Sequence, residues 1–275
     1  MERTWIVTGA ASGLGREIAQ AALSAGDTVI AADRDTDGAA ILKQEHGDAV
    51  EVVQVDVTDA GRIEEVVADA AARHDGIDVL VNAAGRGHIG AVELTDPAEL
   101  RRLMELHFFG PAALTRAVLP YMRARRRGAI IQISSLGGQI STPGMSAYSA
   151  GKFALEGFSI ALAREVANLG IKVLIAQPGA MRTNFAGPAI TESEQIADYE
   201  PTVGELRKHV EEVTGRQPGD PKKIAAALLQ AIDSERPPLR LAFGNDALDR
   251  LNEAAEQTAK DRAAWEEVSR GTDFE

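Results

Sequence analysis

The chain has 275 residues, no cysteine and a formal net charge of −12. That leaves out a disulfide framework and thiolate chemistry, and it speaks against nucleic acid or an anionic membrane as a partner. Apolar residues make up 45% but aromatic ones only 4%, so the core must be built from Ala, Val, Leu and Ile, as where helices cover a parallel sheet.

Strand-like apolar runs fall at residues 4–7, 28–32, 50–55, 79–81, 129–133, 172–176 and 239–243. Stretches with a 3.6-residue period lie between them, at 14–25, 60–74, 111–125, 150–169 and 221–233. This alternation predicts βαβ units, a parallel sheet of seven strands and helices on both of its faces. The strands are continuous runs and not strict alternations, as expected when both sheet faces are covered. Thr58 or Asp59 can cap the second of these helices, and Gly26 and Gly170 stand where helices should stop. The basic run Arg123, Arg125, Arg126 and Arg127 reads as a helix C-terminus, where cations complement the dipole, or as a patch for polyanions.

No apolar run approaches the ~20 residues of a membrane span. The first strand-like run starts too early to leave room for a signal peptide. The expectation is one domain over residues 1–275, in the reducing cytoplasm. The polar segment 184–220, with its prolines and glycines, breaks the alternation and is too long for an ordinary connection. It reads as a mobile substrate loop with helix of its own near 193–199 and 203–213. Residues 246–267 read as a polar amphipathic helix on the surface or at a subunit contact.

The first strand runs into Thr8-Gly9-Ala10-Ala11-Ser12-Gly13-Leu14-Gly15, and a helix follows at once. Glycines there allow a tight turn and close approach to a pyrophosphate, whose charge the helix N-terminus stabilises. The next strand ends in Asp33, a carboxylate placed to accept hydrogen bonds from an adenosine ribose and to repel a 2′-phosphate, which favours NAD. Arg34 follows directly and, unless it is a solvated loop residue, would attract that phosphate, leaving NADP as the alternative.

The spacing Gly9-x3-Gly13-x-Gly15 resembles the signature of the short-chain dehydrogenase/reductase family, an NAD(P)-dependent group with a three-layer, doubly wound Rossmann fold. Asp56-Val57 matches that family's adenine-contacting pair, and Asn82-Ala83-Ala84-Gly85 its motif after the fourth strand. The resemblance runs from about residue 4 to 183, and more loosely to 243. It implies cofactor contacts from Gly9 through Gly15, including Ala11, Ser12 and Leu14. Pro178-Gly179 and Met181 match its Pro-Gly motif, and Thr183 its contact to the nicotinamide carboxamide.

Tyr148 and Lys152 stand four residues apart at the start of a helical stretch, so both lie on one face. Ser135 precedes Tyr148 by thirteen positions, and the chain has only three tyrosines. The trio matches the family's Ser–Tyr–Lys arrangement. Hydride exchange between a secondary alcohol and nicotinamide needs a proton donor and acceptor at the oxygen, but tyrosine's ordinary pKa of ~10 is too high for an efficient base. The Lys152 ammonium is expected to bring it down. The resemblance also implies that Lys152 bonds the nicotinamide ribose and that Ser135 polarises the substrate oxygen.

Many family members carry an asparagine in a proton relay where this chain has His107. Three readings stand: the relay survives, catalysis gains a group titrating near neutrality, or His107 is buried without a catalytic part. The histidines at 46, 74, 88 and 209 lack metal-ligand spacing, so no catalytic metal is expected; His88 is a candidate for lining the substrate cleft.

The expected activity is oxidoreduction of a moderately hydrophobic secondary alcohol or ketone, bound near Ser135–Gly137, Met145, Gly179–Met181 and Phe185. Two alternatives remain: a dinucleotide-binding scaffold without turnover, and an epimerase or dehydratase on the same fold. Apolar residues spread round the 150–169 helix point to a covered face and a homodimer or homotetramer.

Overall fold

A computed structural model describes every residue except Met1, Ala186, Pro188 and Glu275. In chain order the elements begin β1 (Thr4–Thr8), α1 (Gly13–Ser24), β2 (Thr28–Asp33), α2 (Thr36–His46), β3 (Val50–Gln54), α3 (Ala60–Arg73) and β4 (Val79–Asn82). There follow a short strand β5 (Gly87–Ile89), α4 (Pro97–Met104), α5 (Gly110–Arg125), β6 (Gly128–Ile133), α6 (Ser146–Glu165) and β7 (Ile171–Pro178). The chain continues through β8 (Ile190–Glu192), α7 (Glu205–Val213), α8 (Pro221–Asp233), β9 (Arg240–Phe243), α9 (Asn245–Ala264) and α10 (Glu266–Arg270).

Seven strands form one parallel sheet in the order β3-β2-β1-β4-β6-β7-β9. The alternation of side chains across each strand feeds two cores. Trp5, Val7, Val29, Ala31, Val79 and Val81 pack with α1, α2 and α8 on one face. Ile6, Ile30, Leu80 and Ile130 pack with α3, α5 and α6 on the other. Both faces are therefore covered, which is why the central strands read as largely apolar runs and not as strict alternations.

The winding reverses between β1 and β4, and the crevice above their carboxyl ends is where a doubly wound sheet takes its ligand. The backbone closes tightly there: a Cβ on Gly9, whose φ is +69°, would stand 3.0 Å from Ala84 Cα. The Thr8 hydroxyl accepts hydrogen bonds from Ala83 N–H (3.0 Å) and Ala84 N–H (3.2 Å), locking the two loops together.

Segment 184–220 carries more structure than a plain loop. Its strand β8 pairs in parallel with β5, and α7 follows a π turn at Glu200–Gly204. The expected helix near 193–199 is only a 3-10 turn at Ala197–Tyr199. Two residues of the segment, Ala186 and Pro188, lie outside the described residues. The arginine run ends α5 as its helix-terminus reading had it: Arg126 takes the left-handed cap, and Arg125 and Arg127 pair with Asp78 at 3.1 and 3.2 Å. Asp59, not Thr58, caps α3 by accepting from Arg62 N–H. Among the described residues no helix is long and apolar enough to cross a membrane.

Candidate active site

A cleft of about 940 Å³ lies over the carboxyl ends of β1, β4, β6 and β7. Its walls take in most of the sequence-derived candidates: Gly9, Ser12, Gly13, Leu14, Gly15, Asp33, Arg34, Asp56, Val57, Ala83, Ala84, Gly85, Ser135, Tyr148, Lys152, Pro178, Gly179, Met181 and Thr183. Ala11, Asn82 and His107 are not among the wall residues. Ala11 instead donates its N–H to Asp33 at 2.9 Å and so props that carboxylate. Asn82 is buried, donating to the Gln132 side chain at 2.9 Å, and supports the sheet beneath the cleft.

The glycine loop fits an anionic ligand for two reasons. A Cβ on Gly15 would sit 2.3 Å from Gly9 O, so only glycine lets α1 start this close to β1. Ser12 precedes α1 without a side-chain capping bond among the described residues, which leaves the first amides of the helix without side-chain partners. At the far side, Asp33 also accepts from Asp35 N–H at 3.1 Å. Arg34 is 74% exposed and lies 3.7 Å from Asp56 Oδ2.

Ser135 stands two residues beyond the end of β6, in extended backbone, and its Oγ accepts from Gly137 N–H at 3.0 Å. Helix α6 starts at Ser146, earlier than its apolar period suggests, which places Tyr148 and Lys152 within its first two turns. Both are buried. Lys152 Nζ donates to Ile133 O at 2.7 Å. The Tyr148 ring is wedged between His107 (centroids 5.2 Å, edge-on) and Phe185 (5.8 Å).

Electrostatics corrects one expectation. Tyr148 is not brought below its ordinary value: burial pushes it up to about 12, and the hydrogen bond with Ser135 offsets only part of that. Lys152 is itself driven down to about 7 by burial, with the Glu156 carboxylate pulling the other way. Removing charge from water costs Tyr148 more than the Ser135 hydrogen bond returns, and Lys152 more than the Glu156 carboxylate returns.

His107 sits in a π turn, Glu105–Phe109, inserted between α4 and α5. Docking this turn requires Gly151, where a Cβ would come 2.8 Å from His107 Cβ. His107 Nε2 lies 2.8 Å from Arg86 O, so Nε2 carries the proton and donates it. Nδ1 is then a buried acceptor with no partner among the described residues. Burial first, then the charge of Lys152, hold the imidazole well below its ordinary pKa. Burial thus favours the neutral ring and weighs against the reading of His107 as a group titrating near neutrality.

His88 is not in the cleft wall either. It is buried, 3.0 Å from the Thr191 hydroxyl and 3.1 Å from that of Ser193, so it joins β5 to β8. Thr191 also donates to Glu99 at 2.8 Å, and Glu99 pairs with Arg86 (2.8 Å) and Arg102 (2.9 Å). Burial raises Glu99, but the bonds from Thr191, Arg86 and Arg102 outweigh it and hold the carboxyl at about 2. The sequence carries no periodic signal for this network, because its members come from three separate segments.

The substrate half of the cleft is mostly apolar. Leu206, Val210 and Val213 line one stripe of α7 and, with Ile140, Met145 and Phe185, enclose the space by Ser135 and Tyr148. His209 and Arg250 add polar side chains to the cleft lining.

Comparison with known proteins agrees with this geometry. The sequence model of the family described as short chain dehydrogenase matches residues 3–194. Oxidoreductase BOA17 of Botryotinia fuckeliana is 37% identical over 98% of each chain. A 3-ketodihydrosphingosine reductase of Bacteroides thetaiotaomicron is 37% identical over 87% of each. The crystal structure of a short-chain dehydrogenase from Streptomyces avermitilis superposes with a TM-score of 0.94 at 52% identity, covering 99% of this chain and 98% of that one. Other solved structures of the fold carry NAD in one case and NADP+ in another. The chain belongs to the short-chain dehydrogenase/reductase family of oxidoreductases.

Proposed function

We propose that the chain interconverts a secondary alcohol and a ketone on a largely apolar skeleton, with NAD as cofactor and Tyr148 as the proton donor and acceptor. The observation that carries this is the meeting of Ser135, Tyr148 and Lys152 at the wall of one cleft that also holds the bare glycine loop. The nicotinamide, when bound, supplies or accepts the hydride. Gly9–Gly15 and the α1 N-terminus hold its pyrophosphate, Asp33 the adenosine ribose, and Thr183 the carboxamide side of the ring. Lys152 holds the nicotinamide ribose.

Ser135 orients the substrate oxygen and Tyr148 moves the proton to or from it. A phenol pushed up to about 12 stays protonated at neutral pH and is ready to give its proton to a carbonyl oxygen. The reverse direction needs the phenolate and is favoured as pH rises. His107, neutral and with its Nδ1 acceptor turned inward, supports the surviving-relay reading, in which it orders a water next to Lys152.

The preference for NAD rests on Asp33, whose carboxylate would face a 2′-phosphate; Arg34 lies within 3.7 Å of Asp56 but is mostly exposed. The apolar wall and a relative named as a ketone reductase both favour a ketone of moderate hydrophobicity. Exposed Phe109 and Phe153 (50% and 46%) lie by the α5 and α6 surface and support the homodimer or homotetramer. Calorimetric titration tests the cofactor: NADH binds at least tenfold tighter than NADPH. Equal or reversed affinities would mean that Arg34 governs this end, and binding of neither would overturn the assignment.

A further inference from the structure

Glu156 lies one helical turn beyond Lys152 on α6, so the two side chains share a face. It is 2% exposed, a rare position for a carboxylate. Three donors converge on it: Ser134 Oγ–H (2.9 Å) and Gln177 Nε2–H (2.7 Å) on Oε1, and Arg240 Nε–H (2.8 Å) on Oε2. Each partner has a bearing on the cleft. Ser134 precedes Ser135 at the end of β6, and Gln177 precedes Pro178–Gly179 at the end of β7. A Cβ on Gly138 would fall 2.6 Å from Glu156 Oε1, so the turn after Ser135 is pressed directly onto the carboxylate.

We propose that Glu156 is a positioning residue for the acid/base pair: its buried charge favours the Lys152 ammonium over the neutral amine, and its hydrogen bonds fix the strand ends carrying Ser135 and Pro178–Gly179. The inference rests on the reading of Tyr148 and Lys152 as that pair. The physical need is plain. A buried ammonium beside a phenol can shed its own proton instead of promoting loss of the phenol's, and the result is a neutral lysine beside a neutral tyrosine, inactive as a base. A carboxylate on the lysine's far side favours the alternative state, ammonium with phenolate, because it attracts the nearer cation more than it repels the more distant anion. The charged and titratable groups around the pair are Tyr148 and Glu156 on α6, His107 on the π turn, Arg86 after β4, and Arg240 on β9. Of these only Glu156 is a carboxylate, and Arg240 competes with Lys152 for it.

The test uses the full chain with NAD and three variants, Glu156→Gln, Arg240→Gln and the double substitution. Lysine-labelled protein reads the Lys152 titration by NMR, and steady-state oxidation reads turnover across pH. In Glu156→Gln, Lys152 titrates about one unit lower, and kcat for alcohol oxidation falls about tenfold, while the KM for NAD stays within threefold. Arg240→Gln moves the Lys152 titration upward, which keeps the proposal testable even where Glu156→Gln does not fold. The double variant retains the low Lys152 titration and the low turnover. An unmoved Lys152 titration in Glu156→Gln, a downward shift in Arg240→Gln, or wild-type turnover in the double variant would each overturn the proposal; the last would reduce Glu156 to a counterion for Arg240. Turnover that survives Tyr148→Phe would defeat the acid/base reading instead, and the Lys152 titration distinguishes the two failures.

Discussion

Replacing Lys152 with methionine should change how stability depends on pH, by an amount the burial of the ammonium sets. Folding takes this group from an ordinary pKa of 10.5 to about 7. The unfolded chain therefore binds more protons than the folded one between pH 7 and pH 10.5, and unfolding free energy rises with pH across that window. Below pH 7 the cost of charging the buried amine is fully present, and it fades as the amine loses its proton in both states. Integrating between pH 7 and pH 9 gives the wild type a gain of about 2 kcal/mol that Lys152→Met cannot have. Other titrations in this interval are common to both proteins and cancel in the difference. Urea denaturation at the two pH values, extrapolated to water, measures it. Parallel pH dependence in wild type and variant, within ~0.5 kcal/mol, would refute the argument that burial dominates the lysine.

The carboxyl of Glu99, held at about 2 against an ordinary 4.5, works in the opposite sense. Its contribution is present above pH 4.5 and lost as pH falls towards 2, so Glu99→Gln, with solvent screening allowed for, should remove about 1–2 kcal/mol of stability at pH 7 and flatten the acid limb. Acid unfolding followed by circular dichroism reads this, and an unchanged acid limb would show that the β5–β8 latch does not depend on that charge. His107→Asn should leave the shape of the pH–rate profile unaltered near neutral pH, since burial favours the uncharged imidazole; a displaced acid limb would return His107 to the titrating groups.

The sheet was legible because its chemistry is monotonous. All seven strand positions follow from apolar runs, and runs arise because helices cover both faces. Helix α2 escaped the periodic reading because only Ala39 and Leu42 of its eleven residues are buried. The three-residue strands β5 and β8 are too short for any period to show. The wall residues of the glycine loop and the Tyr148–Lys152 pair could be read directly, since those features demand particular residue types at fixed distances along the chain, whereas the wall supplied by α7 and Arg250 could not. The direction of the Tyr148 and Lys152 shifts could not be read, because desolvation depends on what folds over the pair, including Phe185 and the π turn. Glu156 did leave a trace: a carboxylate at the i+4 position from Lys152, on a helix otherwise rich in small and apolar residues. Only the three donors that meet it, from β6, β7 and β9, give that trace meaning.

The most direct test is the proton itself. Tyr148→Phe keeps the ring that packs between His107 and Phe185 and removes only the hydroxyl. With NADH and a panel of apolar ketones, the account predicts undiminished NADH binding and turnover reduced by ~10²–10⁴-fold, the usual contribution of a positioned acid. Turnover within a few-fold of wild type would contradict it, and the proton would then have to reach the substrate oxygen from another group.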